Sequence, residues 1–460
     1  MLRDRYEIDK FFMDIQQLTS EMDTVLAQID QVLDSDALFE RVKVDLSGRY
    51  AQTQQTGRRS TPVEVILRML VVKHLYDLSY EKTEQQVKDS LVLRRFCRVY
   101  FEDVPDDTTL IRWANQIKGE TLEVLNSHIV CMATELKVTA GRKLRTDGTV
   151  VETTIHYPSD SRLLGDGVRV LSRLMKRAQK AFAEELDLAR SVFRDRSRST
   201  RYLVRRIERM AHQGSEKTQS LYKKLVKSVR ASVRQAQTVA EALQHKSSAE
   251  VADLQQNLST FIARTQQVIE QTVRRVFEQE AVPAADKLVS LFEPHTDIIK
   301  RGKAGKTVEF GHKVWLDEVD GGIVSHYRIL AGNPGDSDQW QASIDQHIEQ
   351  FGKPPRQASA DRGVYSADNE RYATQQGVQR VILPKPGAKS QQRQQHERLP
   401  WFRRGRRWHA GVEGRISVIK RKHGLDRCPN HGQDGFARWV GWGILAGNLA
   451  VIGRTVAARS

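Results

Sequence analysis

The chain has 460 residues, 39% of them hydrophobic and 28% charged, enough apolar material for two or three folded domains under a strongly ionic surface. Its 73 Lys and Arg outnumber 57 Asp and Glu to leave a formal charge of +16, which favours a polyanionic partner: nucleic acid, a ribosomal surface or an anionic membrane face. Cys97, Cys131 and Cys428 form no Cys-x-x-Cys pair, which excludes a disulfide scaffold and points to a reducing cytoplasm. Cys428 and His431, with His423 nearby, lack the second pair that a zinc site needs.

Residues 1–19 are charged and lack the apolar centre of a signal peptide. From Phe11 to Val32 apolar residues recur at helical intervals, and the polar stretch Gln52 to Arg59 reads as a linker. Ser60-Thr61-Pro62 then opens a helix, with Pro near its first position and the apolar run Val65 to Val72 behind it. Two further helices are expected at Glu81–Leu93 and Thr108–Ile117, the second capped by an Asp or Thr of 106–108. Three short helices with Arg112 and Trp113 on the last fit either a helix-turn-helix or a plain packing domain.

Lys143–Val151 is the first strand-like run. Between Pro158 and Pro283 there is no proline, and apolar positions keep helical spacing, as in Leu221, Leu225, Val229 and Val233. A long helical module is expected there. Its basic run Arg194–Arg209 reads as a solvated face or a DNA contact, and Gly165-Asp166-Gly167 and Gly302–Gly305 read as turns. Val308–Leu316 and Ile323–Leu330 flank Asp320-Gly321-Gly322 as a hairpin. A helix near Gln339–Gln350, strands near Gln357–Asp361 and Val378–Leu383, and a basic helix over 412–422 follow. Trp439–Gly453 reads as a buried core helix of 15 residues, too short to span a membrane.

Three carboxylates stand where a cation site would want them. Asp147 lies inside a strand, where a carboxylate must be exposed, paired or liganded. Asp361 follows a strand end, the place where α/β sheets hold ligands. Glu413 is, with Asp426, one of two acids among nine Lys and Arg between Trp401 and Arg427. Asp317, Glu318, Asp320, Asp336 and Asp338 compete for the same role. Hard divalent ions take few protein carboxylates and leave positions for water and phosphate, so these acids beside Lys and Arg suit chemistry at phosphorus.

The blocks Asp147-Gly148-Thr149-Val150-Val151, Ala360-Asp361-Arg362-Gly363 and the Glu413 helix resemble the DDE transposases of bacterial insertion sequences, in particular the ISNCY-type group. That group lies within a wider class with the signature Tyr-x2-Arg-x3-Glu-x6-Lys. Here the positions read Arg406-x2-His409-x3-Glu413-x6-Lys420, so Glu and Lys agree while Tyr and Arg are replaced.

The resemblance implies an α/β fold with a mixed sheet: an RNase H-like core, an N-terminal helical DNA-binding domain over 1–135, and a long helical insertion over 160–300 between core segments 140–159 and 301–460. It implies Asp147, Asp361 and Glu413 as catalytic ligands of two Mg²⁺ ions, with Mn²⁺ as substitute. DNA contacts are expected from Arg112, Arg406, His409, Arg415, Lys420 and Arg421. The implied partners are terminal inverted repeats, target DNA and further copies of the chain on paired ends, without a membrane, in a bacterial cytoplasm at the nucleoid. An RNase H-like nuclease without strand transfer and a non-catalytic DNA-binding architectural protein are the alternatives.

Overall fold

A computed structural model describes residues 2–19, 21–48, 60–181, 193–210, 215–243, 249–300 and 307–459. The expected linker at Gln52–Arg59 and the turn at Gly302–Gly305 lie outside the described residues. The chain divides into two compact units, one of residues 1–154 and 312–460, the other of residues 155–311.

In the first unit the N-terminal helices and the sheet share one hydrophobic core, which runs from Leu26 and Val42 through Leu70 and Leu122 to Leu144, Ala358 and Leu449. The helices are α1 (Lys10–Thr19), α2 (Thr24–Leu33), α3 (Asp36–Ser47), α4 (Val63–Leu75), α5 (Tyr80–Asp89), α6 (Leu91–Phe96), α7 (Asp107–Ala114) and α8 (Gly119–Glu135). Pro62 is the N-cap of α4 rather than its first residue. Val63 to His74 are all buried, so α4 is a core helix with no free face. Its Arg68 is fully buried and bonds Asp30, Glu64 and the Phe96 carbonyl, so the charge is neutralised where it sits. The helical signal expected at Glu81–Leu93 is two helices. Ser90 breaks it, its hydroxyl accepting from the Leu93 amide to restart the chain as α6. Asp106 caps α7 by accepting from the Thr109 amide.

The mixed sheet carries β1 (Lys143–Thr153), β3 (Val308–Val319), β4 (Ile323–Leu330), β5 (Gln357–Ser359) and β6 (Arg380–Ile382); β2 (Asp297–Lys300) and β7 (Arg427–Cys428) are short. β3 lies beside β1, β4 pairs antiparallel with β3, and β5 and β6 continue from β1 in parallel. The spatial order β4-β3-β1-β5-β6 is that of an RNase H-like core: an antiparallel hairpin, the first strand, then two parallel strands. At the hairpin tip Gly321 takes φ +85°, open to glycine at little cost. Asp320 fixes the turn by accepting from the amides of Ala140, Arg142 and Lys143.

The second unit holds α9 (Asp160–Ala181), α10 (Ser197–Met210), α11 (Ser215–Leu243) and α12 (Ala249–Val276) around a core of Leu164, Leu171, Leu225, Val229, Leu254 and Leu258. Gly165-Asp166-Gly167 is part of α9 and not a turn. A Cβ on Gly167 would lie 2.7 Å from Thr265, so the bare backbone lets α9 and α12 cross closely. β2 pairs with residues 308–311 as a short ribbon.

The remaining helices are α13 (Trp340–Phe351), α14 (Ala367–Gln375), α15 (Gln391–Arg398), α16 (Pro400–His409), α17 (Gly411–Lys422) and α18 (Gly432–Ala457). The expected 15-residue core helix is a 26-residue one, long and apolar enough by length and composition to cross a membrane. Its apolar stretch is largely buried, however, and packs against α2, α4, α8 and β4. Asn448 in its centre is 0% exposed. Its Nδ2 donates to Asn126 Oδ1 and the Val324 carbonyl, and its Oδ1 accepts from the Val324 amide, which ties α18, α8 and β4 together. Asn448→Ala strands these polar groups without water. We expect a loss of about 2–4 kcal/mol, read as a lowered thermal midpoint; an unchanged midpoint would show that the network is dispensable.

Candidate active site

The site begins with strand register. β1 and β5 pair Lys143 with Gln357, Leu144 with Ala358 and Arg145 with Ser359, a constant offset of 214. The interval from Asp147 to Asp361 is also 214. Asp361, two residues past the end of β5, therefore matches Asp147 in that register. The two charges are felt. Burial first, then the charge of Asp361, pushes the Asp147 carboxyl up to about 6, against the amide of Gly148, which donates to its Oδ1 at 2.7 Å.

Asp361 is more open, its side chain 67% exposed. His409 holds it from α16: the ring Nε2 donates to Asp361 Oδ1 at 3.0 Å, while Nδ1 faces Ser359 Oγ at 3.4 Å. His409 is thus a buried strut between helix and strand end, not a residue offered to DNA. It occupies the position that the signature gives to Arg, and it bonds an aspartate as an Arg could.

Glu413 stands exposed in the first turn of α17. Among the described residues no three His, Cys, Asp or Glu side chains group closely enough to hold a metal ion. The structure therefore brings Asp147 and Asp361 together, and Glu413 is not drawn into their cluster. The helix that carries Glu413 is nevertheless anchored to β1. Arg145, two residues before Asp147, donates to both oxygens of buried Glu318 and to the Trp408 carbonyl at the α16–α17 junction. Its guanidinium also lies 4.8 Å from the Trp408 ring. Burial raises the Glu318 carboxyl, and Arg145 opposes the rise.

Lys313 of β3 closes another side. Its ammonium donates to the Pro334 carbonyl and pairs with Asp336 at 2.5 Å, and a side chain at Gly148 would meet its Cε at 3.1 Å. Asp336 contributes a smaller upward push on Asp147. Sequence reasoning missed Arg145 and Lys313. For Arg145 a signal was present, since residues two apart on a strand share a face; Lys313 had none.

Of the residues expected to touch DNA, Arg112, Arg406 and Arg421 are exposed. Lys420 is half-buried and lies 3.6 Å from Asp426. Arg415 departs from expectation: it is 9% exposed, burial pulls its guanidinium down to about 10, and it points to Asn448. A helix position inside a basic run faced inward here because Val412, Arg415 and Ile419 form the buried stripe of α17.

Two family models match the chain: the Transposase domain (DUF772) over residues 13–116 and the Transposase DDE domain over residues 369–452. The chain carries the two domains of a DDE-type insertion-sequence transposase. The first match runs from within α1 to just past α7 and includes Arg112, and the second includes His409, Glu413 and most of α18, while Asp147 and Asp361 precede it. No curated protein and no solved structure matches the chain. The mixed α/β core and the DDE domain agree, and the transposase is expected to act on DNA.

The raised Asp147 carboxyl has a measurable consequence for this transposase. A carboxyl whose folded value lies above its unfolded value binds its proton more tightly when folded. The stability it supports is present below about 4 and is lost as pH rises through about 6. Asp147→Asn should therefore raise the thermal midpoint at pH 7.5, by up to about 3 kcal/mol in stability, with the gain shrinking as pH falls toward 4. A variant no more stable than the parent at pH 7.5 would show that the carboxylate is not under strain.

Proposed function

We propose that this transposase cleaves phosphodiester bonds at the ends of its element and joins the freed 3′ ends to target DNA, with Asp147, Asp361 and Glu413 as its catalytic carboxylates. The observation that supports this reading is the shared offset of 214: the β1–β5 register, carried two residues past the end of β5, matches Asp361 with Asp147. The pair fits a hard divalent cation in kind: it offers oxygen donors, and the Asp147 carboxyl is pushed upward by burial and then by the charge of Asp361. Two bound Mg²⁺ ions would supply Lewis acidity to the attacking and leaving oxygens of an in-line displacement.

The chain's own residues have separate tasks. Asp147 and Asp361 offer oxygens from a rigid sheet, His409 fixes the rotamer of Asp361, and the Arg145–Glu318 pair holds the start of α17 near β1. Glu413, in the first turn of that helix, completes the donor set when DNA and ions are bound. Arg112, Arg406 and Arg421, with Lys420, lie along the phosphate backbone of the terminal inverted repeats and the target. Copies of the chain act together on paired ends.

The test is purified protein with its own element's end DNA. Asp147→Asn, Asp361→Asn and Glu413→Gln should each lower nicking and strand transfer by at least about a thousandfold, while DNA affinity stays equal or rises as a negative charge is lost. Mn²⁺ should replace Mg²⁺, and Ca²⁺ should support binding with little turnover. A neutral variant that still nicks at the parent rate would remove that residue from the site. Nicking without any joining would favour the nuclease reading, and binding without nicking by the parent would favour an architectural protein.

A further inference from the structure

The unit of residues 155–311 has 29 Lys and Arg against 18 Asp and Glu, so about a third of the chain holds +11 of the +16 charge. The surplus is not evenly spread. Helix α10 has five arginines and one acid in 14 residues, and only Thr200 and Ile207 of it are buried. Arg201 and Arg205, one turn apart, fall on one face and are exposed.

That face borders a cavity of about 320 Å³ between α9 and α10, lined by Arg162, Arg169, Arg201, Arg205, Asp166 and Glu208 among others. Two of its arginines are already matched. Arg162 bonds Glu208, and Arg169 bonds Asp166 at 2.8 Å. Arg201 and Arg205 have no ion-pair partner among the described residues, so two uncompensated guanidinium groups line the cleft. Guanidinium groups fixed beside a polar cavity bind phosphate oxygens in paired, directional contacts. One wall of the cleft, α9, crosses α12 closely at Gly167, where a Cβ would lie 2.7 Å from Thr265.

We propose that this cleft is a DNA-backbone site: Arg201 and Arg205 grip phosphates of duplex DNA, with Arg162 and Arg169 held ready by their acids. The helical unit would then be a second DNA-holding surface of the transposase, separate in sequence from the N-terminal helices and from the carboxylates. The proposal rests on the reading of the chain as a protein that holds element-end DNA.

The experiment uses the full-length chain, fluorescently labelled end duplex and anisotropy across a chloride series. Arg201→Ala with Arg205→Ala should weaken binding by about tenfold or more near physiological salt, and should flatten the slope of log affinity against log salt by about 2, since each lost phosphate contact removes roughly 0.9. Lys223→Ala with Lys227→Ala, exposed on α11 and outside the cleft, removes the same charge and should change both readings much less. Arg201→Lys with Arg205→Lys should restore most of the slope, which separates charge at this place from misfolding.

Equal losses from the α10 and α11 pairs would mean diffuse attraction and overturn the cleft. So would displacement of the duplex by inorganic phosphate beyond the effect of chloride at matched ionic strength, which would mark a free-anion site. Parent protein that binds no duplex defeats the DNA reading as well, whereas a parent that binds and an Arg201/Arg205 variant that binds equally defeats only the cleft.

Discussion

Everything proposed for the catalytic centre depends on one backbone fact, the pairing of β1 with β5. A parallel ladder is indifferent to side chains in its interior, yet it decides which residue lies beside which, and a slip by one would send Asp361 to the opposite face of the sheet. The ladder is short, three residue pairs. It is held by what surrounds it: the Ser359 hydroxyl donates to the Leu144 carbonyl, and β6 pairs with β5 on the outer side. The antiparallel hairpin of β3 and β4 covers the other flank of β1, with Asp320 clasping the start of that strand. Register is thus enforced at both ends of a carboxylate pair that by itself would push the strands apart.

A second theme is the handling of buried charge. Arg68, Arg145 and Arg415 all sit in the interior of the first unit, a costly place for a guanidinium unless acids or carbonyls meet it. Arg68 has three acids around it, and Arg145 has Glu318 and a helix-end carbonyl. Among the described residues Arg415 has a long contact to the Asn448 amide oxygen and the field of Glu318, and burial pulls its ionisation down. The first two therefore act as clamps between segments far apart in sequence, and Arg145 reaches 263 residues along the chain to Trp408.

Much of this was legible beforehand, and the failures have physical causes. The hairpin at Asp320-Gly321-Gly322 and the strands around Asp147 and Asp361 follow from turn chemistry and β-branched runs, signals that act over a few residues. The interval of 214 looked merely large in the sequence; only pairing gives it meaning. Over 62–117 the sequence left a helix-turn-helix and a packing domain open; the apolar residues of α4 surround the helix instead of forming a stripe, a pattern that already marks a fully buried helix. Arg415 and His409 were assigned to DNA because they lie in a basic segment, but composition does not tell which side of a helix is inside. Arg406 and Arg421 differ only in helical phase, which turns them outward to solvent.

The long interruption between β1 and β3 also has a bearing on how the protein comes into being. β1 is complete when residue 153 leaves the ribosome, but β3 does not begin until residue 308 and β5 not until residue 357. At synthesis rates of roughly 5–20 residues per second, the strand waits about ten to thirty seconds for its first sheet neighbour and longer for the partner that brings Asp361. During that delay the helices of 155–311, rich in local contacts, can form early, while the edges of β1 stay without their strand partners. The carboxylate pair is consequently assembled only near the close of translation, so an incomplete chain already carries the basic helices but not yet the pair.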